Sequence, residues 1–171
     1  MMGVIGEPTD AERRVWQARD MIRALAMQWF GQGESHRFTV TTMRTGLVLS
    51  DPLDMLRATV LVRRVASAQE RAYACDARGA GWSWAEVAGV LGFAEWDEPE
   101  VLAFEHVAER GGRPGVRRES VSWRCTSCEQ RVTDTGPFGS HPTDVESGHA
   151  EACARHRAEI AAWVERTGWG Q

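Results

Sequence analysis

The chain has 171 residues, a formal charge of −4, and 20 basic residues that are all arginine. That length suits one domain or two small ones, and the acidic balance excludes bulk attraction to nucleic acid or an anionic membrane surface. The N-terminal stretch MMGVIGEPTDAERR lacks the basic and apolar regions of a secretory leader, and no apolar run approaches the roughly eighteen residues of a membrane span.

In chain order, Thr9-x-x-Glu12 reads as a capping box. Val15, Ala18, Ile22, Leu25 and Trp29 then repeat at helical spacing, which predicts a helix over 10–30 ending at Gly31-Gln32-Gly33. The stretch 36–50 has β-branched residues without clean alternation and is expected to be a loop with at most one short strand. Asp51 as cap and Pro52 at the first helical position open a long helix. Leu61, Val65, Ala68, Ala72 and Cys75 are expected on its inner face, with Gly79 at its end and Cys75 acting as a small buried hydrophobe.

A second capping box, Ser83-x-x-Glu86, starts a short helix to Leu91, followed by Gly92 at a turn. The segment GAGWSWAEVAGVLGF resembles the helix-turn-helix of many actinobacterial regulators, including sigma-factor-like domains. That resemblance implies a recognition helix next in the chain, whose first residues face base edges. Here that helix is acidic: from Asp97 to Arg110 there are five carboxylates and one arginine. Such a face repels phosphates, while Asp97 and Glu98 before Pro99 suit a helix start. Basic charge lies later, at Arg113, Arg117, Arg118 and Arg124, which are the candidate nucleic-acid contacts. Trp123 beside them either stacks on a base or packs under the next hairpin.

Glycines, a proline and charges mark 111–120 as a linker. The expected division is a helix and loop over 1–50, a helix-turn-helix-like region over 51–110, the linker, and a module over 121–171. In that module Cys125 and Cys128 form a C-x2-C knuckle flanked by short strands 121–123 and 130–133. After 20 residues, His149 and Cys153 form H-x3-C, expected on one face of a last helix over 149–167, beyond an irregular loop at 136–148. Two such pairs supply the four ligands of a closed Zn2+ site in a treble-clef-like arrangement. His156 and, more weakly, His141 are rival ligands. A module this small buries too little surface to fold without an ion.

A catalytic alternative rests on Glu151, since His149-Ala150-Glu151 mimics the H-x-E of zinc deaminases. The order relative to C-x-x-C is reversed, Arg124 stands where that signature has proline, and four protein ligands leave no position for water. His106, among acids, reads as a solvated or packed histidine. The tail W-x-C-x-x-C…D-x-G-P…GH-x-x-x-C, carried here by Trp123, Cys125, Cys128, Asp134, Gly136, Pro137, Gly148, His149 and Cys153, resembles that of uncharacterised actinobacterial proteins. The resemblance implies a shared zinc fold and no defined activity. The expectation is a mainly α, cytoplasmic, non-enzymatic regulator or adaptor with structural zinc, binding DNA or a protein partner and no small-molecule substrate.

Overall fold

Helices and a small three-stranded sheet make up most of the computed structural model, which describes residues 7–30, 38–42, 45–49, 51–109, 120–138 and 140–169. Residues 111–119 of the expected 111–120 linker, with Arg113, Arg117 and Arg118, lie outside the described residues. The elements run α1 (Asp10–Trp29), β1 (Phe38–Thr42), β2 (Thr45–Leu49), α2 (Pro52–Ala80), α3 (Trp84–Leu91) and α4 (Pro99–Glu109). They continue with β3 (Val121–Arg124), β4 (Arg131–Asp134), α5 (Pro142–Val145), β5 (Glu146–Ser147) and α6 (Ala154–Thr167). No helix among the described residues is long and apolar enough to cross a membrane. Residues divide into two compact units, Met1–Ala66 and Ser67–Gln171, so the division falls inside α2.

In the first unit the Thr9 capping box forms as expected: Thr9 N–H donates to Glu12 Oε2 at 2.7 Å, and Glu12 N–H donates to Thr9 Oγ1 at 3.3 Å. The expected apolar stripe is only partly covered. Ala26 is the one buried residue of α1, while Val15 and Trp29 are more than half exposed. The stretch expected to be a loop is a hairpin, with β1 antiparallel to β2 from Phe38↔Leu49 to Thr42↔Thr45. Thr39, Val40, Thr41, Thr42 and Val48 are good strand formers, which favours this pairing. Asp51 caps α2, its Oδ1 accepting from Leu53 N–H at 2.7 Å.

The second unit is organised by helix ends. The helix α2 runs past Gly79 and closes at Gly81 (φ 103°), where Gly81 N–H reaches Arg78 O and Trp82 N–H reaches Ala77 O. The same paired closure ends α3 at Gly92 (φ 84°), with Phe93 N–H on Ala88 O at 2.9 Å. Both positions demand the left-handed backbone that glycine adopts without strain. Gly79 serves instead as a contact point: an added Cβ would sit 2.3 Å from Arg124 O. The bare helix surface there lets Gly79 O accept from both Thr126 N–H and its hydroxyl, each at 3.0 Å. The end of α2 thus rests on the cysteine knuckle.

The expected inner face of α2 is used only in part: Leu61 and Cys75 are half-buried, and the rest of the face is not. Val65, Ala68 and Ala72 are exposed, while Ala74 and Arg78 are buried and Cys75 is half-buried against the core. Apolar periodicity misplaces the rest because the buried side contains a guanidinium. One core holds Ala74, Trp84, Val87, Ala103, Phe104, Val107, Val121, Trp123, Val132 and Cys153. It joins helices and sheet without a break, so the described residues do not pack as separate bodies on either side of 111–120. Within that core α4 is hemmed in: of its residues only Glu100 and Glu109 are exposed. Arg71 donates to Val107 O at 2.5 Å, and His106 pairs with Glu70 at 2.6 Å, so His106 is a packed histidine.

The sheet has the order β3-β4-β5, all antiparallel. The loop expected at 136–148 contains α5 and β5. Pairing of β4 with β5 sets Asp134 directly opposite Glu146, both buried. Two carboxylates in that relation repel, and the arrangement requires a cation between them.

Candidate metal centre

Strand β3 delivers Cys125 into a tight turn. Cys125 N–H bonds Gln130 O at 2.9 Å, Glu129 N–H bonds Cys125 O at 2.8 Å, and Glu129 takes a left-handed conformation (φ 58°) to complete the knuckle. The turn aims backbone N–H groups at sulfur. Ala150 and Gln130 donate to Cys128, whose thiol is brought down to about 7, chiefly by the Ala150 N–H. Burial pushes the Cys125 thiol up, against N–H groups of Cys128 and Ser127. For Cys153 burial also opposes ionisation, but the His156 N–H and neighbouring donors bring the thiol down.

The second ligand pair differs from expectation. His149 and Cys153 do not share a helical face: α6 begins at Ala154, with Cys153 as its N-cap. His149 stands in the connection after β5, and the chain folds back so that Cys153 N–H bonds Ala150 O at 2.9 Å. Gly148 permits this with φ 99° and close passage, since a Cβ there would lie 2.5 Å from Arg131 O. Cys153 therefore presents sulfur at the positive end of a helix, where a thiolate is favoured.

These turns bring Cys125, Cys128, His149 and Cys153 together, with all four ligand atoms within 4.8 Å of one another. The four cysteines of the chain are free thiols. Cys125 Sγ lies 3.8 Å from Cys153 Sγ, and Cys128 Sγ lies 3.7 Å from His149 Nδ1. A tetrahedral ion with metal–sulfur bonds of about 2.3 Å has sulfur–sulfur edges of about 3.8 Å and sulfur–nitrogen edges of about 3.6 Å. The donor set fits one tetrahedral metal ion.

Around the ligands runs a buried charge network whose members sequence spacing does not single out as a site. His149 Nε2–H donates to Glu146 Oε2 at 2.9 Å, which orients the ring and leaves Nδ1 to face the cysteines. Burial opposes ionisation of Glu146, but Arg155 and Arg78 outweigh it and hold its carboxyl below the usual range. Arg78 sits between the two cross-strand carboxylates, Nε to Asp134 at 3.3 Å and Nη2 in contact with Glu146. Asp134 in turn accepts from the indoles of Trp84 (3.0 Å) and Trp123 (3.4 Å) and from Gly136 N–H (2.8 Å). Arg155 bonds Glu146 at 2.9 Å and lies over the Trp123 ring at 4.5 Å. Asp134 and Gly136 belong to the D-x-G-P pattern; their roles become visible only with partners from α2 and α3.

No protein-family model, curated protein or solved structure matches this chain.

The remaining candidates resolve individually. His156 stacks on His149 at 4.3 Å without joining the cysteine cluster, and His141 caps α5 and meets the Trp163 ring. Glu151 is exposed and stands outside the set of clustered ligand atoms. Arg124 is exposed and bonds Glu129 O at 3.0 Å. Trp123 is 4% exposed, so it packs beneath the hairpin and offers no face to a base.

Proposed function

We propose that this chain is a non-enzymatic adaptor or regulator whose metal ion is zinc, and that it recognises a protein partner. One observation carries the reading: the Cys3His cluster lies in the same core as α3 and α4. Three thiolates and an imidazole at tetrahedral spacing suit zinc, and four protein ligands leave no position for a reacting water. The knuckle, hairpin and following helix are treble-clef-like, and α2–α3–α4 is a helix-turn-helix-like layer adapted to packing. The burial of α4 supports this, because a recognition helix needs an open face. Its exposed residues are carboxylates, which favour a basic partner over phosphates.

The test uses zinc-loaded protein with random duplex DNA at low and moderate salt, alongside metal content. One zinc per chain, retained in Glu151→Gln, and no DNA binding at low salt are expected. Salt-sensitive binding lost on charge reversal at Arg117 and Arg118 would replace the reading with a nucleic-acid regulator. Water exchange on the metal together with turnover lost in Glu151→Gln would replace it with a hydrolase.

A further inference from the structure

A cleft of about 730 Å³ opens beside the buried network, between α6, the start of α3 and the segment around α5. Its walls include Pro137, Pro142, Ala162 and Trp163, and its floor holds the charged groups of the network. Those charges do not balance. Arg78 is used up: Nε on Asp134, Nη1 on Trp82 O at 2.6 Å, and Nη2 on Glu146. Both terminal nitrogens of Arg155 are on Glu146. The third carboxylate, Glu159, only shares cations already held by others: Arg155 Nη2 lies 3.3 Å from it and 3.3 Å from Glu146, and Arg78 Nη2, which also holds Glu146, lies 3.7 Å away; Glu159 is the one left 35% exposed. The rim adds one exposed charge of each sign, Glu100 and Arg166, so the surplus in the cleft is a carboxylate.

We propose that this cleft receives an arginine side chain from a segment of the partner protein, its guanidinium on Glu159 and its stem along Trp163 and the proline-lined wall. The assignment rests on the chain having a protein partner. An arginine fits better than a free metal ion because the surplus is one carboxylate beside an indole, a pairing that suits a planar guanidinium. The volume exceeds one side chain, which accommodates flanking backbone. Burial and the neighbouring Glu146 push the Glu159 carboxyl up from its ordinary value against the pull of the shared Arg78 and Arg155, so an arriving cation adds to a counter-charge divided among three carboxylates.

The experiment titrates the zinc-loaded full chain with Ac-Gly-Ala-Arg-Ala-Gly-NH2 and with its citrulline counterpart, followed by amide NMR shifts. Saturable shifts along α6 and at Gly136 are expected for the arginine peptide. Affinity should fall about tenfold or more for citrulline or in Glu159→Gln, as for loss of one partner of a desolvated charge pair. Ala162→Trp, on the exposed side of α6 and outside the ion pairs, should block binding with metal content intact; it carries the test if Glu159→Gln alters the fold. Equal binding of the two peptides, unchanged affinity in a folded Glu159→Gln, or no saturable shift at α6 would each overturn the proposal. None of these outcomes bears on the DNA and zinc measurements, so the two readings fail separately.

Discussion

The same capping box begins a helix in each unit, and the two helices meet different fates. In the first unit, α1 has 20 residues and buries only Ala26. In the second, α3 has 8 residues and buries Trp84, Val87 and Ala88. Local propensity starts both helices equally well; their burial depends on what the rest of the chain brings against them. The first unit relies on helices and a hairpin. The second adds a ligand cluster and an ion-pair network that tie α2, α3, the sheet and α6 together, and substitutions on either side can test that asymmetry.

The largest effect should come from Cys153→Ser. A structural zinc contributes on the order of 10 kcal/mol or more, comparable with the roughly 5–15 kcal/mol that stabilises a whole domain. Loss of the bound metal, zinc in the proposed reading, and of the cooperative transition of 67–171 is expected, with amide exchange in α1 unchanged. Equal loss of protection in α1 would show that the two units are one cooperative body.

Next is Asp134→Ala, which strips Arg78 of one partner and leaves two indole N–H groups and Gly136 N–H without their acceptor. Breaking a buried pair in this way costs about 3–5 kcal/mol. The counterpart in α1 is Asp20→Ala, whose pair with Arg23 is exposed, with an expected cost of roughly 0–0.5 kcal/mol. Urea unfolding of both variants measures the difference, and equal costs would remove the case for a charge-built second unit.

Two helical glycines give a smaller contrast inside the second unit. Gly79→Ala forces a Cβ against Arg124 O and should destabilise by about 1–3 kcal/mol despite alanine's better helix propensity. Gly89→Ala meets nothing within 4 Å and should stabilise by about 0.5–1 kcal/mol. Opposite signs in thermal unfolding are the expected result.

The legible part of the sequence is local. Helix starts at Thr9, Asp51 and Ser83, the turn at Gly92, and the two residue pairs that the fold brings into one possible metal site each depend on residue types within a few positions of one another. Long-range pairing is not legible. Arg78 reaches partners 56 and 68 residues away, and an arginine on a helix reads as surface until both carboxylates are placed. For the same reason apolar spacing takes Val65, Ala68 and Ala72, all exposed, into one inner face of α2 with the half-buried Leu61 and Cys75. The His149–Cys153 spacing suggests a helix, yet a glycine-enabled turn serves equally well, because H-x3-C is compatible with either. Glycine-rich composition at 111–120 suggests a boundary, but the core closes across it through contacts that composition cannot express.

The smallest effect is the most discriminating, because it holds chemistry constant. The two capping boxes are near-identical: N-cap N–H to Glu Oε2 is 2.7 Å at Thr9 and 2.8 Å at Ser83. Those backbone bonds hold both the Glu12 and Glu86 carboxyls below their ordinary value. A lowered folded value means that the support is complete above the unfolded carboxyl range, about 4.3, and is lost as pH falls through the folded value. Thr9→Ala and Ser83→Ala remove the same hydroxyl, yet the readouts should diverge. Ser83→Ala should lower the melting temperature of the second unit by a few degrees, because α3 unfolds only with the core around it. Thr9→Ala should instead fray the first turn of α1, raising amide exchange at 10–13 without moving that transition. Lowering the pH below the carboxyl range should weaken each box in the unsubstituted protein and still weaken it, to a smaller extent, in the alanine variants, because the N-cap N–H to Glu bond survives loss of the hydroxyl. A melting shift from Thr9→Ala as large as that from Ser83→Ala would mean that α1 is held by a core equal to that of the second unit, which its exposed Val15, Trp16 and Trp29 argue against.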